Sequence, residues 1–403
     1  MRRRRAKRDL TIEQQLARGP IDLPYLALTL LLTAIGLVML LSSSYASAYY
    51  ETGDPYHYFT RQLGFALLGV AAMFLIPKID YQRLRLLSVP AIFLSVVLLA
   101  LVLTPLGRAG GGAQRWISIA GIRFQPLEVA KVSVVMFFAA RLSKRNDQLK
   151  APPKKWNRHT PVGRIGAVLD KIGFLELVPY GVILLVVLFL LYKQPHMSGM
   201  ILVLVAAASV LFASGIRLYW FVGVGTAAAG ALWFVITQTE YMTARINSWL
   251  NPTADLQGDG LQLWQSQIAI GSGGLLGVGL GNSHQKYLFL PEEHNDFIFA
   301  IVCEELGLVG ACLIIALFAL LIIRGYWLAL HARDRFGTLL IVGLNTLMAA
   351  QVLLNLGVVT GVLPTTGISL PFFSYGGTAL AVQLASAGIV LGVSRQIVAP
   401  RAE

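Results

Sequence analysis

Three groups of residues in this chain have the types and spacing to do chemistry. Glu128 and Lys131 stand three positions apart inside an apolar run, so on a helix they share one face. Charge at membrane depth is costly and usually faces a polar cavity. Burying such a pair in lipid gains little. That favours a cavity-lining pair over an ion pair that only stabilises its own helix. The second group is Pro291-Glu292-Glu293-His294-Asn295-Asp296-Phe297-Ile298-Phe299. Asp296 stands where a long polar segment enters an apolar run. Its carboxylate could cap the helix that starts there, or act as a base whose pKa partial burial raises. His294 reads as a loop hydrogen-bonder. Glu304 and Glu305, more than two turns deeper, read as buried polar anchors between helices. The third group covers 363–378, which is uncharged and dense in Gly, Pro and hydroxyls. Irregular backbone near a membrane is buried in protein or lines a cavity. Its hydroxyls and free amides suit a neutral, hydroxyl-rich ligand such as a sugar. A rigid re-entrant cap with no ligand is the alternative.

The elements that must position these residues are membrane spans. The 403 residues are 56% hydrophobic and 13% charged, against roughly 25% charged in a soluble domain. A spanning helix needs about 20 apolar residues. Ten runs qualify, at 24–43, 58–77, 86–106, 126–142, 175–192, 198–216, 218–237, 297–323, 336–359 and 376–393. The expected fold is therefore all-α and polytopic, a single ten-helix membrane domain over 23–395. A basic tail at 1–22 precedes it and a short tail at 396–403 follows. The opening Met1-Arg2-Arg3-Arg4-Arg5 resembles a signal n-region, but the first apolar run reads as an uncleaved span.

The formal charge is +13, which on a soluble chain would suggest nucleic acid. With the N-terminus in the cytoplasm, 25 of the 33 Lys and Arg fall in cytoplasmic segments, counting Arg141 at the end of the fourth run. The basicity is then a topology signal that puts both termini inside, and no nucleic-acid partner is expected. A cytoplasmic loop at 143–174 carries basic residues around Pro152-Pro153 and suits contact with anionic lipid. An extracellular loop at 238–296 has few charges, and long structured loops are often functional. The glycines at 271–281 lack a strand context and read as a flexible loop rather than a nucleotide site. Cys303 and Cys312 read as packing residues. No Walker A motif, His/Cys metal spacing or Gly-x-Ser-x-Gly elbow occurs.

Several pieces together resemble one family. They are Arg115-Trp116-Ile117 with Gln125-Pro126-Leu127-Glu128 and Lys131; Arg245 before Asn251-Pro252; and Gln265-Ser266 before the 271–274 glycines. The Leu290–Phe299 segment, Glu304-Glu305-Leu306-Gly307 and the 364–377 loop complete the set. The chain resembles the SEDS proteins (shape, elongation, division and sporulation), the group containing FtsW, RodA and SpoVE. The Gly281-Asn282-Ser283…Gln285-Lys286 run looks more like FtsW or SpoVE than RodA, which favours the division type. There are departures. Leu127 stands where the family often has a small residue. Gln194-Pro195 is followed by His196-Met197-Ser198-Gly199, where many members have Asp-Leu-Gly-Thr.

The resemblance implies a bacterial, multi-pass cytoplasmic-membrane enzyme that polymerises lipid II into peptidoglycan glycan strands at the outer face. It implies that Asp296 is essential. The expected cavity residues are Glu128, Lys131, Arg115, Arg245, Gln265, Thr365, Ser374, Tyr375 and Gly376. It also implies a class B penicillin-binding protein, a transpeptidase, as partner, with other divisome membrane proteins. In the expected reaction Asp296 removes the proton of an acceptor sugar hydroxyl. A single displacement then inverts the anomeric centre, and Lys131, Arg115 and Arg245 receive the departing diphosphate. A divalent cation, Mg or Mn, is left open. Two other classes compete: a lipid II flippase, which should line its whole path with polar residues, and a non-catalytic scaffold, which should tolerate substitution at Glu128, Lys131 and Asp296. An elongation- or sporulation-type polymerase is the alternative within the family.

Overall fold

The computed structural model describes residues 19–110, 113–119, 122–144, 173–223, 240–254 and 260–397, with a few single positions between them. Most of the expected basic tail, of the 143–174 loop and of the seventh span, and the end of the C-terminal tail, lie outside the described residues. The helices are α1 (Leu23–Thr52), α2 (His57–Leu75), α3 (Gln82–Val102), α4 (Pro126–Leu142), α5 (Phe174–Lys193) and α6 (Met197–Ala213). They continue with α7 (Glu240–Leu250), α8 (Leu261–Ser272), α9 (Ile298–His331), α10 (Arg335–Val359) and α11 (Gly377–Ser394). Among the described residues, seven helices are long and apolar enough to cross a membrane: α1, α2, α3, α5, α9, α10 and α11. The chain is a multi-pass membrane protein. α4 has the bounds expected of the fourth run, 126–142, whereas α6, at 17 residues, stops short of the expected 216.

Two expectations need correction. The fold is mostly helical but not all-α. A three-stranded antiparallel sheet, β1 (Gly107–Gly110), β2 (Ala113–Ile119) and β3 (Ile122–Phe124), joins α3 to α4. β2 is central, with Arg108 opposite Trp116 and Ser118 opposite Arg123. Backbone groups between helices need partners, and this ladder supplies them. The 238–296 segment, in turn, contains α7 and α8 rather than only irregular backbone.

Local chemistry explains the ends of α1. Asp22 caps it by accepting from Tyr25 N at 2.9 Å, as N-cap acids do. Gly53, at φ 76°, closes it in the left-handed conformation that glycine adopts without penalty. The Asp22 carboxylate also receives Arg324 of α9, Nε to Oδ1 at 3.1 Å, which pins the two helices together at that face. Between helices, packing follows small residues. At Gly36 a Cβ would stand 2.3 Å from the carbonyl oxygen of Phe372. α2 and α11 pack together through Gly69 and Gly388.

α9 breaks at Gly307, where φ is 67° and ψ −171°. A break inside a membrane frees backbone groups that lipid cannot satisfy. Here the 273–279 segment takes them up. Val278 N donates to Glu304 O at 3.0 Å and Gly279 N to Glu305 O at 3.1 Å. In return Leu308 N donates to Gly274 O and Val309 N to Leu275 O. A Cβ at Gly307 would meet Gly277 N at 2.3 Å. The glycine-rich stretch is thus close-packed backbone, not the expected flexible loop. Cys303 is buried on α9 as a packing residue, whereas Cys312 is exposed.

Candidate active site

Asp296 lies directly before α9. The N-cap of that helix is Phe297, and no side chain caps it, so Asp296 does not serve as the cap. Its backbone is held from α10: Asn355 Nδ2 donates to Asp296 O and to Ile368 O, each at 2.7 Å. One buried amide therefore fastens the Asp296 backbone to the 363–376 loop. The carboxylate faces Gly367, where a Cβ would stand 3.2 Å from Oδ2. Burial and the neighbouring Glu292 carboxylate push the Asp296 carboxyl up to about 6. Arg245, Arg115 and His294 pull against that rise. The result is a carboxylate with base strength near neutrality among cations.

The 363–376 loop is fixed from three sides. Ser374 Oγ donates to Asn295 O at 2.7 Å and accepts from Leu370 N at 2.7 Å. Tyr375 N donates to His294 O at 2.8 Å. Gln62 of α2, buried at 1% exposure, grips the same turn with both ends of its amide. Its Nε2 donates to Ser374 O at 3.2 Å, and its Oε1 accepts from Gly376 N at 3.1 Å. Tyr58, one helical turn earlier, stacks on His294 with ring centroids 4.5 Å apart, and Tyr375 meets it edge-on at 4.8 Å.

Glu128 and Lys131 form an ion pair at 2.8 Å in the first turns of α4, both buried. The intrahelical pair coexists with a cavity-lining position for Glu128. Glu128 lines a cleft with Gln351, Ser369, Ser374, Gly376 and Gln383, so the cleft joins the α4 pair to the 363–376 loop. Arg115, on β2, donates to the carbonyls of Gln194 and Pro195 between α5 and α6. Arg245, on α7, donates to Thr365 O at 2.7 Å. Both are near enough to lower the Asp296 pKa. The structure thus brings Arg115 and Arg245 near Asp296 and ties Thr365, Ser374, Tyr375 and Gly376 around it, with Glu128 in the cleft that Ser374 and Gly376 line and Lys131 paired to it. Gln265 does not join them through a hydrogen bond. It is partly exposed on α8, while its neighbour Ser266 ties that helix to Val359 O at 2.8 Å.

Four residues that sequence reasoning passed over contribute. Tyr58 and Gln62 carry a usable signal, a polar i, i+4 pair at the start of a span. Asn355 carries none, being one amide in an apolar helix. His196 occupies the position where the resemblance expects an acid. Its Nδ1 accepts from Gly199 N at 3.1 Å and caps α6, and its other ring nitrogen lies 2.9 Å from the Gln125 amide. Burial, then Arg115 and Lys131, lower its pKa to about 3. A neutral imidazole therefore does the capping that a carboxylate would do, without adding a negative charge beside Arg115 and Lys131.

Similarity to known proteins agrees with this geometry. The FtsW/RodA/SpoVE model, described as cell cycle protein, matches residues 23–398. A probable peptidoglycan glycosyltransferase FtsW of Trichlorobacter lovleyi is 38% identical over 374 residues, 93% of each chain. The stage V sporulation protein E of Bacillus subtilis is 38% identical over 375 residues, covering 93% of this chain and 97% of that one. Among solved structures, a chain from work on coordinated polymerization and crosslinking by a peptidoglycan synthase complex superposes with a TM-score of 0.74. It is 30% identical and covers 94% of this chain and 98% of that one. The rod shape determining protein RodA of Thermus thermophilus superposes with a TM-score of 0.65, at 28% identity over 94% of this chain and 98% of its own.

Proposed function

The chain belongs to the FtsW/RodA/SpoVE family of cell cycle proteins, and on that premise we propose how its site works as a peptidoglycan glycosyltransferase. The substrates are lipid II and a lipid-linked glycan strand. The donor carries a diphosphate at its anomeric carbon, and the acceptor offers a sugar hydroxyl. Asp296 is the general base. Its carboxylate accepts the hydroxyl proton as the oxygen forms the new glycosidic bond. The bond to the diphosphate breaks in the same displacement, which inverts the anomeric centre. Arg115, Arg245 and Lys131 receive the charge that develops on the leaving diphosphate. Glu128 holds Lys131 in place.

The observation that carries this reading is the Asp296 carboxyl held against the 363–376 loop at Gly367, with Arg245 bound to Thr365 of the same loop. A base poised near the working pH is the most effective. The donors around Asp296 do not fit a divalent ion held by protein side chains alone. Its neighbours are the Glu292 carboxylate, two arginines and His294, and no group of three His, Cys, Asp or Glu side chains converges among the described residues. No step is therefore routed through a metal.

The site faces outward from the bacterial cytoplasmic membrane with both termini inside, a reading supported by the Lys and Arg distribution. The partner is a class B penicillin-binding protein within the division machinery. Similarity to a chain of a peptidoglycan synthase complex supports that pairing. The division role is supported by the FtsW relatives. The test is purified protein, with and without the transpeptidase, given labelled lipid II and read for polymer on a gel. Polymer made by the chain supports the enzyme. Transbilayer movement of lipid II without polymer would support the flippase instead.

A further inference from the structure

Two rulers give the depth of the glycine-rich turn before α9. A helix rises about 1.5 Å per residue, and the hydrocarbon core is about 30 Å thick. Asp22 and Arg324 pair at one face of the molecule and mark one edge of that core. Along α1, Ser42 stands about 30 Å from Asp22. Along α9, Glu305 stands about 28 Å from Arg324. Ser42 Oγ donates to Glu305 Oε1 at 2.7 Å, so the two rulers agree on the level of the opposite edge.

The turn reaches below that level. Leu280 and Leu306 line an apolar slot with Ala34, Ile35, Val38 and Met39 of α1, which lie about 18 to 26 Å from the Asp22 level. Leu275, Leu276 and Leu280 are 68%, 80% and 55% exposed. They continue the exposed apolar surface that Leu31 and Val38 present on α1 and Leu308, Val309 and Leu313 present on α9. The polar groups turn the other way. Glu304 accepts from His284 N at 2.9 Å and from Ser283 Oγ, and Lys286 Nζ pairs with Glu305 at 3.2 Å. An aqueous loop would hydrate these charges and hide its leucines. This segment does the reverse, and four of its backbone groups, Val278 N, Gly279 N, Gly274 O and Leu275 O, are paired with the break in α9, the kind of internal pairing a membrane-buried turn needs.

We propose that residues 273–280 form a re-entrant turn seated in the hydrocarbon of the leaflet remote from Asp22 and Arg324, with Leu275, Leu276 and Leu280 in contact with lipid chains. This rests on membrane embedding alone and not on the glycosyl-transfer reading. The test is labelling by a charged, membrane-impermeant maleimide in a Cys303→Ala, Cys312→Ala background. Leu276→Cys and Leu280→Cys are compared with Asp54→Cys, which is exposed just beyond the far end of α1. Full labelling in SDS checks that each thiol is present. In sealed proteoliposomes of this chain alone, both leucine positions are expected to react at least about tenfold more slowly than Asp54→Cys. They are expected to stay protected in native membranes. Reaction as fast as Asp54→Cys in both settings would overturn the proposal in favour of an aqueous loop. Protection only in native membranes would overturn it in favour of a protein partner covering the turn.

Discussion

As the proposed base, Asp296 accepts a proton only while it is ionised. Its carboxyl titrates near 6, so polymer formation should rise with pH up to about that value and level off above it. Glu292 raises this pKa by repulsion. Glu292→Gln should lower it and shift the acid limb of the pH profile to lower pH. Arg245→Gln removes an attraction and should shift the limb the other way. Rate against pH for the three proteins checks both signs. Lys131 presents a different problem, because its loss strands a buried carboxylate. Lys131→Met should destabilise the protein by about 3–5 kcal/mol and reduce its membrane level. Adding Glu128→Gln removes the stranded charge and should restore the level while polymerisation stays low. Immunoblots beside the polymer gel separate these effects. Recovery of both together would make the pair purely structural. Much of the site was legible at this scale, because charges in apolar runs stand out. Glu128, Lys131 and Asp296 could be singled out from type and spacing. The contribution of Asn355, one side-chain amide held between two backbone carbonyls, exists only after folding.

The helices act on the site through a few contacts. Gln62 is the clearest, since it connects α2 to the Ser374–Gly376 turn. Gln62→Leu leaves Ser374 O and Gly376 N without those partners, at about 1–3 kcal/mol. It should loosen the turn and lower turnover more than it lowers melting temperature. The break in α9 has an opposite balance. Gly307→Ala places a Cβ against the Gly277 backbone in a conformation that costs about 1–3 kcal/mol for other residues. Thermal unfolding in detergent should show a drop in melting temperature of several degrees. At this scale the apolar runs marked the helix starts well. α1 begins at Leu23 against an expected 24, yet runs on to Thr52 rather than 43, because Tyr45–Glu51 stay helical after the apolar run ends. The sheet was not legible. β1 is glycine-rich, β3 has three residues, and in β2 the polar pair Gln114-Arg115 and the apolar pair Trp116-Ile117 break the alternation that would have marked it. The 273–279 segment looked loose because its glycines suggest freedom, whereas Gly273 and Gly277 let its backbone meet that of α9.

For the whole molecule, charge and position are linked. The net basicity of +13 resides mainly in segments remote from Asp296 along the chain. With the proposed orientation, protease-sensitive tags on both termini should be cleaved in inverted vesicles and protected in intact spheroplasts. A tag cut from the outside would reverse the topology and move the site to the wrong side for lipid-linked donors. The central claim is that Asp296 performs the proton transfer in glycan synthesis. The most direct test is polymer formation from labelled lipid II by purified, folded Asp296→Asn protein beside the unaltered chain, each with its transpeptidase. The expected result is a loss of about 100-fold or more at unchanged melting temperature and membrane level. Polymer made at the unaltered rate would contradict the claim.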